Sequence, residues 1–238
     1  MIVRYPLGFI LAAGLLAAGV AGCRTAPAPP PPAAAGAPAP SVVGVPEDST
    51  PLIVFVGTSL TAGYGLPDPK LAYPALIQRK IDSLRLGYRA VNAGVSGETS
   101  AGALRRIGWL LDRGNIAVVM VETGANDGLR GQDPDSTKAN IQAIFDRART
   151  LDPVPRLVLT GMEAMPNLGQ AYTARFRALY ADLAKANSVT FIPFLLVGVA
   201  GVDSLNQGDG IHPTAQGQEI VAATVWAALR PLLTEPSR

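Results

Sequence analysis

Two side chains near the C-terminus have the chemistry of a base and its carboxylate partner. His212 is the only histidine of the protein, so any reaction that uses an imidazole as its base must use this one. Asp209 precedes it by three residues, with a turn-favouring glycine between them. This spacing lets the carboxylate reach the imidazole from the same loop and hold its tautomer. The alternative for residues 209–213 is an ordinary turn into a helix, because Asp and Gly favour turns and Pro favours the first helical position.

The candidate nucleophile is Ser59, which follows an apolar run at positions 52–56. The run has no polar alternation and is rich in Val, Ile and Phe, which is typical of a strand buried on both faces of a parallel sheet. Gly57 permits a sharp turn after this strand, and open α/β sheets bind ligands at the carboxyl ends of their strands. The alternative is a simple strand-to-helix turn in which Ser59 or Thr61 caps a helix.

Polar residues also follow two further predicted strands. Gly97 comes after the second strand, and Asn126 and Asp127 come after the third. Parallel strands place their carboxyl ends on one edge of the sheet, so these loops can converge with the loops of Ser59 and His212. Each loop also has a purely structural interpretation, namely helix entry for Gly97 and a turn with a helix cap for residues 126–128.

The elements that must position these residues alternate along the chain as strand and helix. Because no two strands are adjacent in sequence, the pattern predicts an α/β fold, a three-layer α/β/α sandwich with a mostly parallel five-stranded sheet. The predicted strands after the first are residues 88–93, 116–121, 156–160 and 189–194, and the predicted helices are residues 69–86, about 99–112, 136–150, 170–186 and a closing helix from Pro213 to about 233.

Length and composition limit the classes of function. The chain has 238 residues, enough for one domain with a sizeable core, which we expect at residues 51–238. Its formal net charge of +2 is too small to indicate a nucleic-acid partner. One histidine and one cysteine do not make a zinc site, and the single cysteine excludes an internal disulfide.

The N-terminus is typical of an exported protein. Arg4 precedes an Ala-rich apolar segment at residues 7–21, which is short for a membrane span and fits a signal peptide at residues 1–22. The segment ends in small residues followed by Cys23, and this resembles the bacterial lipobox, in which the cysteine becomes lipidated. The alternative is a plain signal peptide that is cleaved near Ala21 and leaves Cys23 as a free thiol.

Residues 23–50 begin with that cysteine and are otherwise mostly Ala and Pro. Such a segment lacks apolar bulk and favours extended polyproline II, so we expect a tether between a lipid anchor and the folded domain. The alternative is a disordered leader without an anchor. With the anchor, the protein is exported and held on a bacterial membrane, on its periplasmic or cell-surface side.

Taken together, the motifs resemble those of the SGNH (GDSL) serine hydrolases, over residues 52–232 and with the family's blocks in order. The third and fourth blocks are especially similar to the thioesterase I, lysophospholipase and arylesterase branch. One departure is Thr58, because the family's first block usually has Asp before the serine. The four blocks are residues 57–65, 92–100, 124–131 and 209–213.

The resemblance implies a Ser-His-Asp triad of Ser59, His212 and Asp209, with no cofactor and no metal. It also implies an oxyanion hole made by the backbone N–H groups of Ser59 and Gly97 and the side-chain amide of Asn126. The loop after the fourth strand lies on the same edge, and its apolar side chains either line an acyl groove or anchor the loop on the core. Those side chains are Met162, Met165 and Leu168.

The function expected from these residues is hydrolysis of carboxylic acyl esters, of the arylesterase, lysophospholipase or acyl thioesterase type, on a small acyl-ester or lipid substrate. One alternative is a carbohydrate O-acetylesterase. Another is a non-catalytic module, tethered to the membrane, that uses the same cleft to bind lipid or the cell wall. Oligomeric state is not predicted.

Overall fold

The computed structural model of the protein describes residues 50–234. The predicted signal peptide, the lipidation site at Cys23 and the Pro/Ala-rich tether up to residue 49 lie outside the described residues. Within residues 50–234, no helix is long and apolar enough to cross a membrane.

A single five-stranded sheet forms the centre of the domain. Every neighbouring pair of strands is parallel, and the spatial order is β2-β1-β3-β4-β5. This confirms the predicted fold class, and it places β1 and β3 side by side in the middle of the sheet. The strands are β1 (Leu52–Gly57), β2 (Arg89–Gly94), β3 (Ile116–Val121), β4 (Arg156–Thr160) and β5 (Thr190–Ile192).

Helices cover both faces of the sheet. Helix α2 packs against α7, while α5 packs against both α3 and α6. The helices are α1 (Ser59–Ala62), α2 (Tyr73–Ser83), α3 (Ser100–Leu111), α4 (Ala125–Leu129), α5 (Pro134–Ala148), α6 (Gln170–Asn187) and α7 (Ala215–Thr234), with short 3₁₀ turns at Pro69–Leu71, Pro166–Leu168 and Asp203–Leu205.

The core forms where apolar residues follow the period of each element. All six residues of β1 are buried, as expected for a strand covered on both faces. In α5 the apolar stripe has helical spacing, so one face of the helix packs on the core and the other meets water. Its members are Ile141, Ile144, Phe145 and Ala148, all fully buried.

Two helix boundaries differ from the prediction. The helix predicted at residues 69–86 is a 3₁₀ turn followed by α2, with Ala72 extended between them. A proline disfavours helical backbone before it and donates no N–H, so Pro74 fits only the first turn of a new helix.

The closing helix begins at Ala215 rather than Pro213, because Pro213 pairs with Asn206 in an antiparallel bridge. The Thr214 hydroxyl then accepts the Gly217 N–H at 3.3 Å and caps α7.

Candidate active site

Ser59 is the first residue of a one-turn helix at the carboxyl end of β1. Thr58 is extended, and Gly63 ends the turn in the left-handed conformation, at φ 76°. The first N–H groups of a helix have no intrahelical acceptor. The Ser59 N–H therefore has no acceptor within the helix. It lies on the same edge of the sheet as the Ser59 hydroxyl.

Gly57 is required where β1 meets this turn. A side chain at this position would collide with the Thr61 hydroxyl and with the carboxylate of Glu122. The sequence predicts a glycine-dependent turn here, and the structure shows that the requirement is close approach rather than an unusual backbone angle.

The loop after β5 brings His212 to Ser59. The Ser59 Oγ and the His212 Nε2 are 2.8 Å apart, and the His212 Nδ1 is 2.6 Å from an Asp209 carboxylate oxygen. The other Asp209 oxygen accepts the backbone N–H groups of Ile211 and His212, each at 3.0 Å. Asp209 thus folds its own loop and contacts the imidazole at the same time.

The charge of Asp209 fixes the direction of these hydrogen bonds. The hydrogen bond from the His212 ring, followed by the two backbone N–H groups, lowers the pKa of Asp209 to about 2. An ionised carboxylate only accepts, so the Nδ1 of His212 carries the proton and its Nε2 is left to accept from the Ser59 hydroxyl.

Gln207 and Tyr64 support the histidine, and neither was predicted from the sequence. The Gln207 amide donates to the carbonyls of Tyr64 at 2.7 Å and Pro213 at 3.1 Å, so it joins the histidine loop to the loop after α1. The Tyr64 ring lies 4.7 Å from the His212 ring, tilted by 47°. The position of Tyr64 close after the nucleophile in sequence is the only signal for it.

Gly97 and Asn126 line the same cleft as Ser59. Gly97 is the third residue of a four-residue turn in which the Glu98 N–H donates to the Val95 carbonyl. Its φ is 77°, a positive value that glycine adopts readily at this position of a turn. Asn126 lies in α4, and its side-chain amide donates to the Glu98 carbonyl at 3.0 Å. The structure therefore brings both candidate oxyanion residues to the nucleophile.

Two arginines that were not predicted from the sequence hold the Gly97 loop. Arg106 on α3 forms an ion pair with Glu98, with an N–O distance of 2.6 Å, and it also donates to the Gly57 carbonyl at 3.3 Å. Arg130 donates to the Gly97 carbonyl at 3.1 Å. The loop is thereby tied to the end of β1. The opposite charges at positions 98 and 106 are the only sequence signal.

Asp127 has a structural role next to Asn126. Its buried carboxylate accepts the Ser100 N–H at 2.9 Å, the Ser100 hydroxyl and the Thr137 hydroxyl at 3.2 Å. The Thr99 side chain, at the N-terminus of α3, makes no capping hydrogen bond, and Asp127 supplies the acceptor for the Ser100 N–H instead. This fixes α4 against α3 and α5.

A largely apolar cleft of about 790 Å³ opens at the triad. Met162 and Met165 line it, whereas Leu168 lies outside the lining residues. Met162 is buried and Met165 is 46% exposed. The other apolar side chains of the lining are Leu60, Tyr64, Ala125, Leu129, Ala164, Pro166, Phe194, Leu196, Ala200 and Ile211.

No group of three or more His, Cys, Asp or Glu side chains within residues 50–234 is arranged to hold a metal ion. The polar groups described above are instead arranged around one hydroxyl and one imidazole.

Residues 55–220 match the sequence profile of the GDSL-like Lipase/Acylhydrolase family. The chain belongs to this family. It is a serine esterase of the SGNH type, and its fold and the order of its motifs agree with that assignment.

Several named relatives match most of the domain. The chain is 38% identical to esterase TesA of Pseudomonas aeruginosa over 181 residues, which cover 76% of this chain and 89% of that protein. It is 35% identical to thioesterase 1/protease 1/lysophospholipase L1 of Escherichia coli K12 over 185 residues, 78% of this chain and 86% of that protein. It is 31% identical to an arylesterase of Vibrio mimicus over 173 residues, 73% of this chain and 85% of that protein.

Solved structures agree with this assignment. The crystal structure of TesA superposes with a TM-score of 0.72 at 37% identity, and the match covers 76% of this chain and 99% of that one. AlinE4, described as an SGNH-hydrolase family esterase, superposes with a TM-score of 0.63 at 38% identity over 79% of this chain and 98% of that one.

As an SGNH hydrolase, the protein departs from the usual first motif at Thr58. The Thr58 hydroxyl and backbone N–H both donate to Glu122, which follows β3 and is fully buried. A carboxylate therefore contacts the nucleophile turn in this protein, but it comes from another strand.

Proposed function

We propose that Ser59, His212 and Asp209 are the catalytic residues of this esterase and act through an acyl-enzyme. The observation that carries the proposal is the continuous line of hydrogen bonds from the Ser59 Oγ to the His212 Nε2 at 2.8 Å and from the His212 Nδ1 to Asp209 at 2.6 Å. A serine hydroxyl is a weak nucleophile on its own and becomes effective when a base within hydrogen-bond distance takes its proton.

In the acylation step, the Ser59 Oγ forms a bond to the carbonyl carbon of the ester while its proton passes to the His212 Nε2. The π electrons of the carbonyl move onto its oxygen and give a tetrahedral oxyanion. Asp209, ionised at neutral pH, stabilises the imidazolium that results. When the tetrahedral intermediate collapses, the bond to the leaving oxygen breaks and that oxygen receives the proton from the Nε2.

The oxyanion is stabilised by donors that lie beside Ser59. We assign this role to the N–H groups of Ser59 and Gly97 and the amide of Asn126, all of which line the cleft. Donors held in place before the reaction need no reorganisation as the negative charge develops. Here the Gly97 turn is fixed by Arg130, and Asn126 is fixed by its contact with the Glu98 carbonyl.

Deacylation uses the same groups. Water gives a proton to the Nε2 of His212 as its oxygen attacks the acyl carbon, and the proton then passes to the Ser59 Oγ as the acyl bond breaks. The products are a carboxylic acid and the restored hydroxyl of Ser59.

The lining of the cleft indicates that the enzyme recognises the acyl chain of its substrate. Its lining is dominated by aliphatic and thioether side chains, including Met162, Met165 and Leu129, which bind an acyl chain by burying apolar surface. Relatives named as an esterase, a thioesterase and lysophospholipase, and an arylesterase are in keeping with this. We propose acyl esters and lipid acyl esters as the substrate class.

We also propose that the enzyme is exported and anchored to a bacterial membrane through a lipid on Cys23. The support is the sequence pattern of a short apolar segment, small residues before the cysteine, and an Ala/Pro-rich segment before the domain.

The test of the mechanism is covalent labelling with a fluorophosphonate, which reacts with an activated serine. We expect the probe to modify Ser59 in the wild type, and we expect Ser59→Ala to show neither labelling nor hydrolysis of p-nitrophenyl butyrate. Ser83→Ala, at an exposed serine of α2, is the matched control and keeps both activities. Labelling of Ser59→Ala, or hydrolysis by it at the wild-type rate, would overturn the proposal.

A further inference from the structure

A buried carboxylate contacts the turn that carries Ser59, and no step of the reaction above uses it. Glu122 follows the last residue of β3 and is fully buried. A carboxyl group in an apolar interior costs free energy unless hydrogen bonds compensate it. Its position therefore needs a physical reason.

Among residues 50–234, the donors to Glu122 all come from the nucleophile turn. The Thr58 N–H donates to its Oε2 at 2.7 Å, and the Thr58 hydroxyl donates to its Oε1 at 2.9 Å. The Thr61 hydroxyl donates to the Oε2 at 2.8 Å. One carboxylate thus joins the residue before the nucleophile to the residue two positions after it.

The hydrogen bond at Thr61 continues to α2. The Thr61 hydroxyl has a single proton, which it gives to Glu122, so the Tyr73 hydroxyl 2.7 Å away must donate to Thr61. Burial, followed by the charge of Glu122, raises the pKa of Tyr73 well above its usual range, which keeps this tyrosine a donor. The turn is therefore fixed to two elements, the end of β3 and the start of α2.

Other ionisable groups face this region from the neighbouring helices. Tyr180 on α6 is buried and neutral, because burial raises its pKa well above the usual range. Arg106 on α3 reaches the Gly57 carbonyl at 3.3 Å and forms an ion pair with Glu98. The donors to Glu122 in the turn are uncharged, so they hold the carboxylate by hydrogen bonds alone.

We propose that Glu122 is a positioning residue for the nucleophile, an inference that rests on the mechanism proposed above. By holding the residues on both sides of Ser59, it fixes the direction of the Ser59 Oγ towards His212 and of the Ser59 N–H towards the substrate oxygen. Gly57 leaves free the space that the carboxylate occupies. A displacement of about 1 Å at a reacting group costs about 10²-fold in rate.

A glutamine at this position can make the same contacts. Its carbonyl oxygen, at the place of the Oε2, accepts the Thr58 N–H and the Thr61 hydroxyl. Its NH₂ group, at the place of the Oε1, donates to the Thr58 hydroxyl, which is able to accept. The protonated carboxyl group of Glu122 has the same arrangement of one donor and one acceptor. Burial raises the pKa of Glu122 to about 7, and the hydrogen bonds from Thr58 and Thr61 act in the opposite direction.

The test compares Glu122→Gln with Glu122→Ala in the otherwise intact protein, using p-nitrophenyl butyrate. We expect Glu122→Ala to lower kcat by about 10²-fold with KM within about 3-fold of the wild type, because the cleft lining is unchanged. Labelling by a fluorophosphonate should slow by the same factor. We expect Glu122→Gln to keep kcat within about 5-fold of the wild type, which a role as a charged group would not allow.

Thr61 gives a second comparison if Glu122→Ala does not fold. Thr61→Val removes one donor to Glu122 and keeps the shape, whereas Thr61→Ser keeps the donor. We expect kcat to fall by about 10-fold in the first variant and to stay near the wild-type value in the second. The control is Thr160→Val on β4, where a buried hydroxyl with only a weak 3.4 Å contact to the Val121 carbonyl is removed; its kcat should not change.

Two results would overturn the inference. One is a kcat for Glu122→Ala equal to that of Glu122→Gln, and the other is equal kcat values for Thr61→Val and Thr61→Ser. Both are distinct from failure of the proposed mechanism, which would appear as absence of Ser59 labelling in the wild type.

Discussion

The hydroxyl oxygen of Ser59 lies 2.8 Å from the Nε2 of His212, although 153 positions separate the two residues. Ser59 follows the inner strand β1, and His212 lies in the loop between the edge strand β5 and α7. The contact exists because all five strands are parallel and end on the same edge.

Replacing Asp209 by Asn should lower kcat by about 10⁴-fold. The amide is neutral and no longer favours the tautomer with the proton on the Nδ1, so the Nε2 loses its capacity to accept from Ser59. The measurement is the steady-state hydrolysis of p-nitrophenyl butyrate at pH 7.5. A loss of less than about 10-fold would show that Asp209 mainly folds its own loop.

Asn126→Ala should lower kcat by about 10²–10³-fold, because one donor to the oxyanion is lost, while acylation stays detectable. Asn126→Asp should be slower still, since a negative charge then faces the developing oxyanion. KM is expected to change little in either variant, because the donor acts on the transition state. The acylation rate is measured by stopped flow as the burst of product. If this rate is the same in Asn126→Ala and the wild type, Asn126 is not a donor to the oxyanion.

Met162→Ala separates the two interpretations of the loop after β4. If Met162 lines an acyl groove, the ratio of kcat/KM for the decanoate ester over the butyrate ester should rise by about 10-fold, since the cleft gains space for methylene groups. If Met162 only anchors the loop, the variant should lose about 2–5 kcal/mol of stability with no change in this ratio. Val154→Ala, at a residue that is 60% exposed and does not line the cleft, is the control.

Glu122 should make stability depend on pH. Its pKa is raised from 4.5 to about 7 by burial, so the folded protein holds this proton more tightly than the unfolded chain does. The free energy of unfolding should therefore fall by about 3 kcal/mol from this group as pH rises from about 4.5 to about 7.

Glu122→Gln cannot titrate, and its free energy of unfolding, measured by urea denaturation across this range, should lack that fall. Glu219→Gln, at an exposed residue of α7, should keep it. Equal pH dependence of the wild type and Glu122→Gln would show that the carboxyl group of Glu122 does not titrate in this range.

Cys23→Ser tests the proposed anchor. The full-length wild type, expressed in a bacterial host that processes lipoproteins, should fractionate with membranes and be labelled by an azide-bearing fatty acid. The variant should appear in the soluble exported fraction without the label, with its esterase activity unchanged. A variant that remains with the membrane would exclude lipidation of Cys23 as the cause of attachment.

The sequence alone was sufficient for the fold class. The apolar runs at 52–56 and 116–121 have no polar alternation, and burial on both faces is the physical cause of that pattern, so they predicted central parallel strands. The family was recognised separately, by the resemblance of the four motif blocks. The helix starts predicted at residues 69 and 213 were wrong. A proline is common in the first turn of a helix, but it does not indicate whether a long α-helix, a short 3₁₀ turn or a loop follows.

The sequence also indicated which groups have the chemistry of catalysis, since one histidine limits the choice of base. It could not indicate which hydrogen bonds and ion pairs hold the site in place. The contact of Glu122 with Thr58, the ion pair of Arg106 with Glu98 and the placement of Leu168 outside the cleft all depend on how separate elements pack. Local periodicity reports only whether a residue faces the core. Which neighbour it meets there is decided by the tertiary structure, because hydrogen bonds and ion pairs need atoms within a few ångströms of each other.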